Sequence, residues 1–490
     1  MTIFALLFSL PVLATATQLA LGKQHYIKAM QIIYSILFLL LSIYLFWFDN
    51  KLTIIHLANW PAPYGIVLVI DQLTRLMLMI FAIVFTCINL FSLTDSTLEN
   101  SQRIYYSGTW LLLLGVIGAL TTYDIFNLYV WSEVILVSAF IVLSISQKNN
   151  SINIWRYAIF NITGTLLMLL AIALLYGLTG NLNAAAIAQY LTTTSNSLIM
   201  PIATLLFLGL AIKGGIFPFY FWLPTNYPNT NASSTLLISS FVTKVIMLVI
   251  LRLFWLWQPL QSSFLSTVFI VLACCTMFFG VMGAANDFRL RHILSFHIIS
   301  QIGYILLAIF IPTTQAIIAM LYFLIHNIFV KTNLLMTSGI IEERYQTNKL
   351  TEMGDILKAC PFLAAIFFLS AMSLAGFPPL SGFWGKLLIF QSAFNSYLYI
   401  PLIMAILVSL LTLYSMIKVW RYVYCEPSPV ENSIITFKLT KIQLLALLPL
   451  LLLPILMGLY PSFLFSSLQH IADQLSHPQT ISNTILGINQ

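Results

Sequence analysis

Charge is what this sequence has least of. Of its 490 residues only 7% are Asp, Glu, Lys or Arg, while 60% are hydrophobic and 14% aromatic. A soluble domain carries roughly 25% charged residues, so 21 Lys plus Arg and 14 Asp plus Glu cannot give a chain this long a water-facing surface. The shortage excludes soluble enzymes, disordered regulators and collagen-like fibres, and leaves an integral membrane protein. Cysteine is scarce as well. Cys87, Cys274, Cys275, Cys360 and Cys425 show no CxxC spacing and read as small buried hydrophobes, which excludes a secreted disulfide scaffold. Also missing are HExxH, a phosphate-binding glycine loop, GxGxxG and a nucleophile elbow. Haem would want paired histidines on spans, and His326 is the only histidine expected near a span centre, so no cofactor and no resident metal is predicted. The net charge of +7 is dispersed singly with no basic run, so nucleic acid is not the partner; the lipid bilayer is.

What is abundant is long apolar runs. About 20 residues cross a bilayer core of roughly 30 Å, and this ruler finds fourteen candidate spans, centred near residues 12, 39, 82, 114, 135, 166, 208, 243, 273, 302, 325, 377, 411 and 452. The first, Thr2 to Leu21, has no basic leader or small-residue cleavage site and is taken as a span and not a cleaved signal. Gaps at 49–69 and 339–359 read as loops or interfacial segments, and the polar stretch from Asn181 to Ser197 could lie along the membrane surface. With the amino terminus outside, the inside loops hold Lys23, Lys28, Arg103, Lys148, Arg289, Arg291, Arg344, Lys349, Lys358, Arg421, Lys438 and Lys441, against Lys51 alone outside. That bias predicts both ends outside a plasma or inner membrane.

Some charges did not go to the loops. Glu133, Lys213, Lys244, His326, Lys331 and Lys386 fall near the middle of apolar spans. At about 2.5 to 3.5 kcal/mol for each buried charge, the Glu and the four Lys together cost on the order of 15 kcal/mol if unpaired. Taken singly, each could be a snorkelling lysine or an ion pair that locks packing. Taken as a row, they are what proton translocation needs, because a proton crosses hydrocarbon only by successive sites. Glu133 and Lys213 are the natural pair; Asp71, Arg75, Asp124 and Arg252 lie nearer helix ends and read as anchors or vestibule residues. His326 and Lys331 share the eleventh span, but five residues rotate about 500°. Either that helix bulges or the two serve successive steps.

Helix breakers accompany two of the lysines. The seventh span contains Lys213-Gly214-Gly215-Ile216-Phe217-Pro218, and the twelfth contains Gly376-Phe377-Pro378-Pro379, then Gly382 and Lys386. Proline removes a donor and clashes with the preceding turn, so both spans should break at mid-membrane, where freed backbone groups must line a hydrated or protein-buried cavity. The spans are five apart, so the chain traverses them in opposite directions. Matching breaks in oppositely directed halves mark an inverted repeat with an ion path at its interface.

On these residues, together with Asn59-Trp60-Pro61-Ala62-Pro63-Tyr64-Gly65 leading to Asp71, Ile293-Leu294-Ser295-Phe296-His297 leading to Gly303-Tyr304, and His326 through Lys331-Thr332-Asn333-Leu334, the chain resembles a family. It is the antiporter-like subunits shared by Mrp-type cation/proton antiporters, respiratory complex I and membrane-bound hydrogenases, and the likeness is strongest to the D subunits of Mrp-type antiporters. The resemblance implies an all-α membrane fold of fourteen helices with inverted five-helix repeats, helices 4 to 8 and 9 to 13, broken at helices 7 and 12. The corresponding segments are 1–104, 105–258, 262–424 and a last helix with an outside tail in 425–490. It also implies that Glu133 and Lys213 pair, that Lys244, His326 and Lys331 form a central axis, and that Lys386 ends the relay. The implied function is a transporter without cofactors, working with other Mrp subunits in a hetero-oligomer that exchanges Na+ for H+. The alternative is a proton-pumping membrane subunit of a quinone-reducing or hydrogen-evolving redox complex.

Overall fold

A computed structural model of the chain describes residues 2–20, 24–48, 52–146, 151–194, 196–261, 264–428 and 437–487. Lys23, Lys51 and Lys148, used above for orientation, lie outside the described residues. The chain opens with α1 (Thr2–Ala20) and α2 (Gln24–Trp47), then a hairpin of β1 (Thr53–His56) and β2 (Val67–Ile70). Next come α3 (Gln72–Ser92), α4 (Gln102–Thr121), α5 (Ile125–Ser146), α6 (Ser151–Thr179), the short α7 (Ala184–Thr193), α8 (Ile199–Gly214), α9 (Trp222–Asn226) and α10 (Ala232–Leu256). Then follow α11 (Phe264–Asn286), α12 (Leu290–Ile309), α13 (Thr314–Tyr345), α14 (Ile356–Ala359), α15 (Pro361–Ala375), α16 (Ser381–Asn395) and α17 (Tyr399–Val419). The chain closes with α18 (Lys441–Leu459), α19 (Ser462–Ser476) and α20 (Pro478–Leu486).

Among the described residues thirteen helical segments are long and apolar enough to cross a membrane, α8 through Asn229 being one of them. The chain is a multi-pass membrane protein. The fourteenth span, centred near 377, falls on α15 and α16, two pieces of 15 residues each that are individually too short to cross.

The bundle is sorted by polarity. α10 is wholly buried, and α12 and α13 are 94% buried, whereas α1, α2, α17 and α18 are only 28% buried. Water is not the solvent around such a bundle, so apolar outer helices can face lipid while the polar side chains of α10, α12 and α13 must find partners inside. Local signals set the starts of these helices. Asn231 Oδ1 accepts from Ser234 N–H at 3.0 Å to cap α10, and Thr313 Oγ1 accepts from Ala316 N–H at 3.2 Å to cap α13.

The helical membrane fold is as expected, but several segments need correction. The 49–69 gap is not all loop: the hairpin lies there, antiparallel with Thr53 opposite Ile70 and His56 opposite Val67. Its strands are Ile- and Val-rich, and every residue of β2 is buried, which suits a pleated strand better than an interfacial loop. The 339–359 gap is not all loop, because α13 runs 32 residues to Tyr345. Glu342, Glu343 and Arg344 end the apolar run without ending the helix, since Glu and Arg are good helix formers. The stretch from Asn181 holds α7, capped by Asn183 Oδ1 on Ala185 N–H at 3.0 Å. Its alanines are buried, and Trp257 Nε1 donates to the Ala184 carbonyl at 3.1 Å. The tail after α18 is folded too: α19 packs on α13, α20 packs on α7, and Gln258 Nε2 donates to the Ser476 carbonyl at 3.3 Å.

Candidate functional site

The first interruption lies between α8 and α9. Gly215 takes a left-handed φ of +70°, and a Cβ there would sit 2.2 Å from Leu223 Cδ1, so glycine alone permits the turn. Several of the freed backbone groups are taken up. The Gly215 N–H returns to the Ile212 carbonyl at 3.2 Å and the Ile216 N–H to that of Ala211 at 3.0 Å. Trp222 Nε1 also donates to the Ile212 carbonyl, at 3.1 Å, and the Phe217 N–H donates to Thr276 Oγ1 on α11 at 3.0 Å. That leaves Lys213, in the last turn of α8, to face a side chain. Its Nζ lies 3.8 Å from Glu133 Oε1 on α5. The gap is an ion pair and too long for a hydrogen bond, and Glu133 Oε1 has no hydrogen-bond partner. A small void beside Lys213 is lined by Ser132, Tyr157, Asn161, Val242 and Ile246.

Burial of the pair is unequal. The Lys213 side chain is 4% exposed and that of Glu133 33%. Glu133 lies on the outer face of α5 with Phe126, Val130 and Val137, all exposed, because steps of three and four residues stay on one helix face.

The second interruption separates α15 from α16. Gly376 takes φ of +90°, and the Ala375 carbonyl left free there accepts from Lys386 Nζ at 2.8 Å. Lys386 also donates to Ser409 Oγ at 3.0 Å and sits 5.5 Å over the Tyr304 ring. Its partners are a carbonyl, a hydroxyl and a ring, and none is a carboxylate. At the start of α16, Ser381 Oγ lies 2.8 Å from His326 Nδ1 and 3.3 Å from Ser373 Oγ. This contact needs Gly382: a Cβ there would fall 1.7 Å from the Ser373 carbonyl oxygen and 3.0 Å from His326 Cε1.

Lys244 and Lys331 occupy the buried helices between the interruptions. Lys244 Nζ donates to the Ser239 carbonyl at 2.6 Å and to Thr243 Oγ1 at 3.2 Å. Lys331 Nζ is buried with no hydrogen-bond partner. The charges of Lys244 and Lys386 both act on Lys331, and those of Lys386 and Lys331 on His326. Lys213 couples to Glu133. The residues therefore fall into two groups, and α10 stands between them: Val242 and Ile246 face the Lys213 void, while Lys244, two residues from each, is turned by about 200° to the other side. α13 is continuous through His326 and Lys331, so no bulge brings them to one face; His326 is hydrogen-bonded to Ser381 of α16, and Lys331 Nζ has no hydrogen bond.

Two residues of this neighbourhood escaped the sequence reading. His297 of α12 is fully buried with Nε2 2.6 Å from Ser415 Oγ, and the charges of Lys331, Lys386 and Lys418 act on it. It lies eight residues into a 20-residue span, so His326 is not the only histidine near a span centre. Lys418 of α17 donates to the carbonyls of Ala285 at 2.7 Å and Asp287 at 2.6 Å, closing the end of α11. Three of the residues expected to be anchors or vestibule residues, Asp71, Asp124 and Arg252, make helix-end contacts. Asp71 caps α3, and its two oxygens take Arg252 Nη2 at 2.9 and 3.0 Å. Asp124 caps α5 through the Asn127 N–H at 2.7 Å; burial pushes its carboxyl up, against the pull of backbone hydrogen bonds from Asn127 and Phe126.

With this geometry in place, the chain can be compared with known proteins. Residues 122–412 match the family described as NADH:quinone oxidoreductase/Mrp antiporter, TM. The chain is similar to the D subunit of the Na(+)/H(+) antiporter of Alkalihalophilus pseudofirmus, 36% identical over 455 residues, which are 91% of this chain and 92% of that one. It is 33% identical to the corresponding D subunit of the Na(+)/H(+) antiporter of Bacillus subtilis, covering 90% of this chain and 89% of that one. Among solved structures, the Mrp complex from Dietzia sp. DQ12-45-1b contains a chain superposing with a TM-score of 0.91 at 26% identity, with 99% of each covered. Respiratory complex I from Thermus thermophilus superposes at 0.84 and 20% identity, over 98% of this chain and 100% of that one; that likeness concerns the fold alone.

Proposed function

This chain belongs to the NADH:quinone oxidoreductase/Mrp antiporter family of membrane proteins, and on that premise we propose that it is the proton-translocating subunit of a multisubunit Na+/H+ antiporter. Protons pass along Glu133, Lys213, Lys244, Lys331, His326 and Lys386. The observation that carries the reading is the Glu133–Lys213 pair, 3.8 Å apart at a helix interruption. A lysine and a carboxylate held just beyond hydrogen-bond reach can exchange a proton through one water or part when either group moves. The structural rival, a packing ion pair, leaves the orphaned Lys331 Nζ unexplained, since a buried ammonium that serves only packing is costly without a partner.

The half-exposed position of Glu133 bears on partners. A charge facing lipid at that depth costs about 2.5 to 3.5 kcal/mol, so the outer face of α5 is covered by another subunit of the complex. The bias of basic residues to one set of loops supports a plasma membrane orientation with the Arg289, Arg291 and Lys349 face inside. Residues 105–258 and 262–424 form the two oppositely directed repeats. The redox-driven alternative has less support, because the relatives above 30% identity bear antiporter names.

The test is exchange in vesicles containing the assembled complex. Lys213→Ala and Glu133→Ala should each abolish Na+ exchange driven by a pH gradient while assembly persists, and Lys213→Arg, which keeps the charge but holds its proton, should also stop it. Full exchange in all three variants would remove the proposal. Copurification with flavin or iron-sulfur proteins would replace it with the redox-driven reading.

A further inference from the structure

At the basic-loop end of the bundle an open cleft lies between the end of α3, the turn after it, the starts of α10 and α12, and the last turns of α13. Phe91, Asp95, Asn231, Arg291, Gly339 and Glu342 line it. Glu342 stands out. The residue is 7% exposed; one carboxylate oxygen accepts from Arg291 Nε, and the other, Oε1, is buried without any partner. A carboxylate oxygen so buried is expensive to leave unsatisfied, and Glu342 itself lines the cleft. Arg291 does not complete the site, because its Nη1 is committed to the Thr230 carbonyl at 2.5 Å, just beyond the interrupted seventh span.

Polar side chains lead inward from there. On α13, Ser338 and Lys331 lie four and eleven residues from Glu342, on the same face. On α10, Ser233, Ser240 and Lys244 share a face in the same way. Ser233 Oγ donates to Asp95 Oδ2 at 2.6 Å at the cleft, and the Ser240 and Thr332 hydroxyls meet across the two helices at 2.7 Å. Eleven residues of helix are about 16 Å, a distance that a few hydroxyls and waters can bridge.

We infer that this cleft is the mouth through which protons from the basic-loop side reach the relay, with Glu342 as the carboxylate that loads them. The inference rests on the proton-translocating reading above. In the step, the Glu342 carboxylate takes a proton from cleft water and becomes a neutral acid; it then gives that proton to the hydroxyl and water file and returns to carboxylate, with nothing oxidised or reduced. Lys331 and Lys244 are the acceptors at the inner end. The charged groups around Glu342 are Arg291 and His292 from α12, Asp95 from the turn after α3, Glu343 and Arg344 from α13, and Lys349 and Glu352 from the next loop. His292 Nδ1 is held by Asp287 at 3.3 Å, Glu343 accepts from Ser96 Oγ at 3.0 Å, and Lys349 is held by Glu352 at 2.7 Å. Glu342 is thus left as the carboxylate with a free, buried oxygen.

The experiment uses the complete complex in vesicles, with Na+ exchange followed as the pH on the basic-loop side is varied and Lys213→Ala run in parallel. Glu342→Gln, nearly the same shape, should slow exchange by about 10², the low end for loss of a positioned proton carrier. The loss should deepen as protons become scarce on that side only, and Glu342→Asp should restore part of the rate. A wild-type rate and pH profile in Glu342→Gln, with Lys213→Ala inactive, overturns the inference and leaves the relay standing. Wild-type exchange in Lys213→Ala removes the relay itself. Where Glu342→Gln fails to assemble, Thr332→Val decides: a slower rate with the same one-sided pH dependence supports the route, and unchanged exchange overturns it.

Discussion

The two interrupted spans look alike in sequence and differ in chemistry. In each, a left-handed glycine ends a helix close in sequence to a lysine. At the first, the indole of Trp222 takes the freed Ile212 carbonyl, and Lys213 turns to a carboxylate. At the second, the lysine itself takes the freed Ala375 carbonyl and finds only neutral partners. The difference is one of charge balance. Lys213 and Glu133 can exchange a proton within a pair, whereas Lys386 must be charged or neutral by itself, in contact with backbone, a hydroxyl and an aromatic face. A donor-acceptor pair suits a step where protons are taken up and held; an isolated lysine suits a step where they are handed on.

The contrast can be broken most directly by Lys213→Met and Lys386→Met. Both should reduce pH-gradient-driven exchange in vesicles to background with the complex still assembled, but the thermal stability of that complex should separate them. Lys213→Met strands the Glu133 carboxylate, while Lys386→Met leaves the Ala375 carbonyl and Ser409 hydroxyl still bonded to each other at 3.2 Å, a loss of about 0.5–1.5 kcal/mol. Equal stabilities would mean that losing the Glu133 pairing costs no more than losing the Lys386 hydrogen bonds, and would break the contrast. Next in size are the glycines. Gly382→Ala drives a methyl into the Ser373 backbone, and Gly214→Ala meets only the flexible end of Met247 at 2.6 Å. The first should destabilise the purified complex by about 1–3 kcal/mol or more in thermal unfolding, and the second by clearly less.

A smaller effect sharpens the second interruption alone. Ser381→Ala removes the His326 hydrogen bond, worth about 0.5–1.5 kcal/mol, and should slow exchange without loss of assembly; an unchanged rate would set His326 aside as a packing residue. The smallest effect lies outside both interruptions. Burial raises the Asp287 carboxyl, but hydrogen bonds from His292 and Arg289 outweigh it and hold the group well below the usual carboxylate range. Because the folded value is depressed, its contribution is present above the unfolded value of about 3.9 and lost only as pH falls through the lower folded one. Asp287→Asn should therefore lower thermal stability equally at pH 7 and pH 5. A penalty that shrinks between those values would show that Asp287 is not held so low.

Much of the architecture was readable from residue order. Runs of about 20 apolar residues located the membrane segments, and prolines beside lysines marked where two of them are interrupted, because length and missing donors are local properties. The 339–359 stretch misled because hydropathy reports where lipid ends, whereas Glu342-Glu343-Arg344 keep good helix propensity past that boundary. His297 was passed over since nothing beside it in sequence distinguishes a buried histidine facing Ser415 from one at a helix end. Glu342 was passed over for the same reason, its partners Arg291 and Thr230 lying far away along the chain.

By itself the sequence determined that this chain lives in a membrane and where its long apolar runs lie, since both follow from composition and spacing along a single strand of chain. Only the tertiary structure decided which of its ionisable residues meet. Whether a lysine faces a carboxylate, a carbonyl or nothing depends on how α5, α8, α10, α13 and α16 turn against one another, and a helix can rotate its charges to a different neighbour without any change in its own pattern.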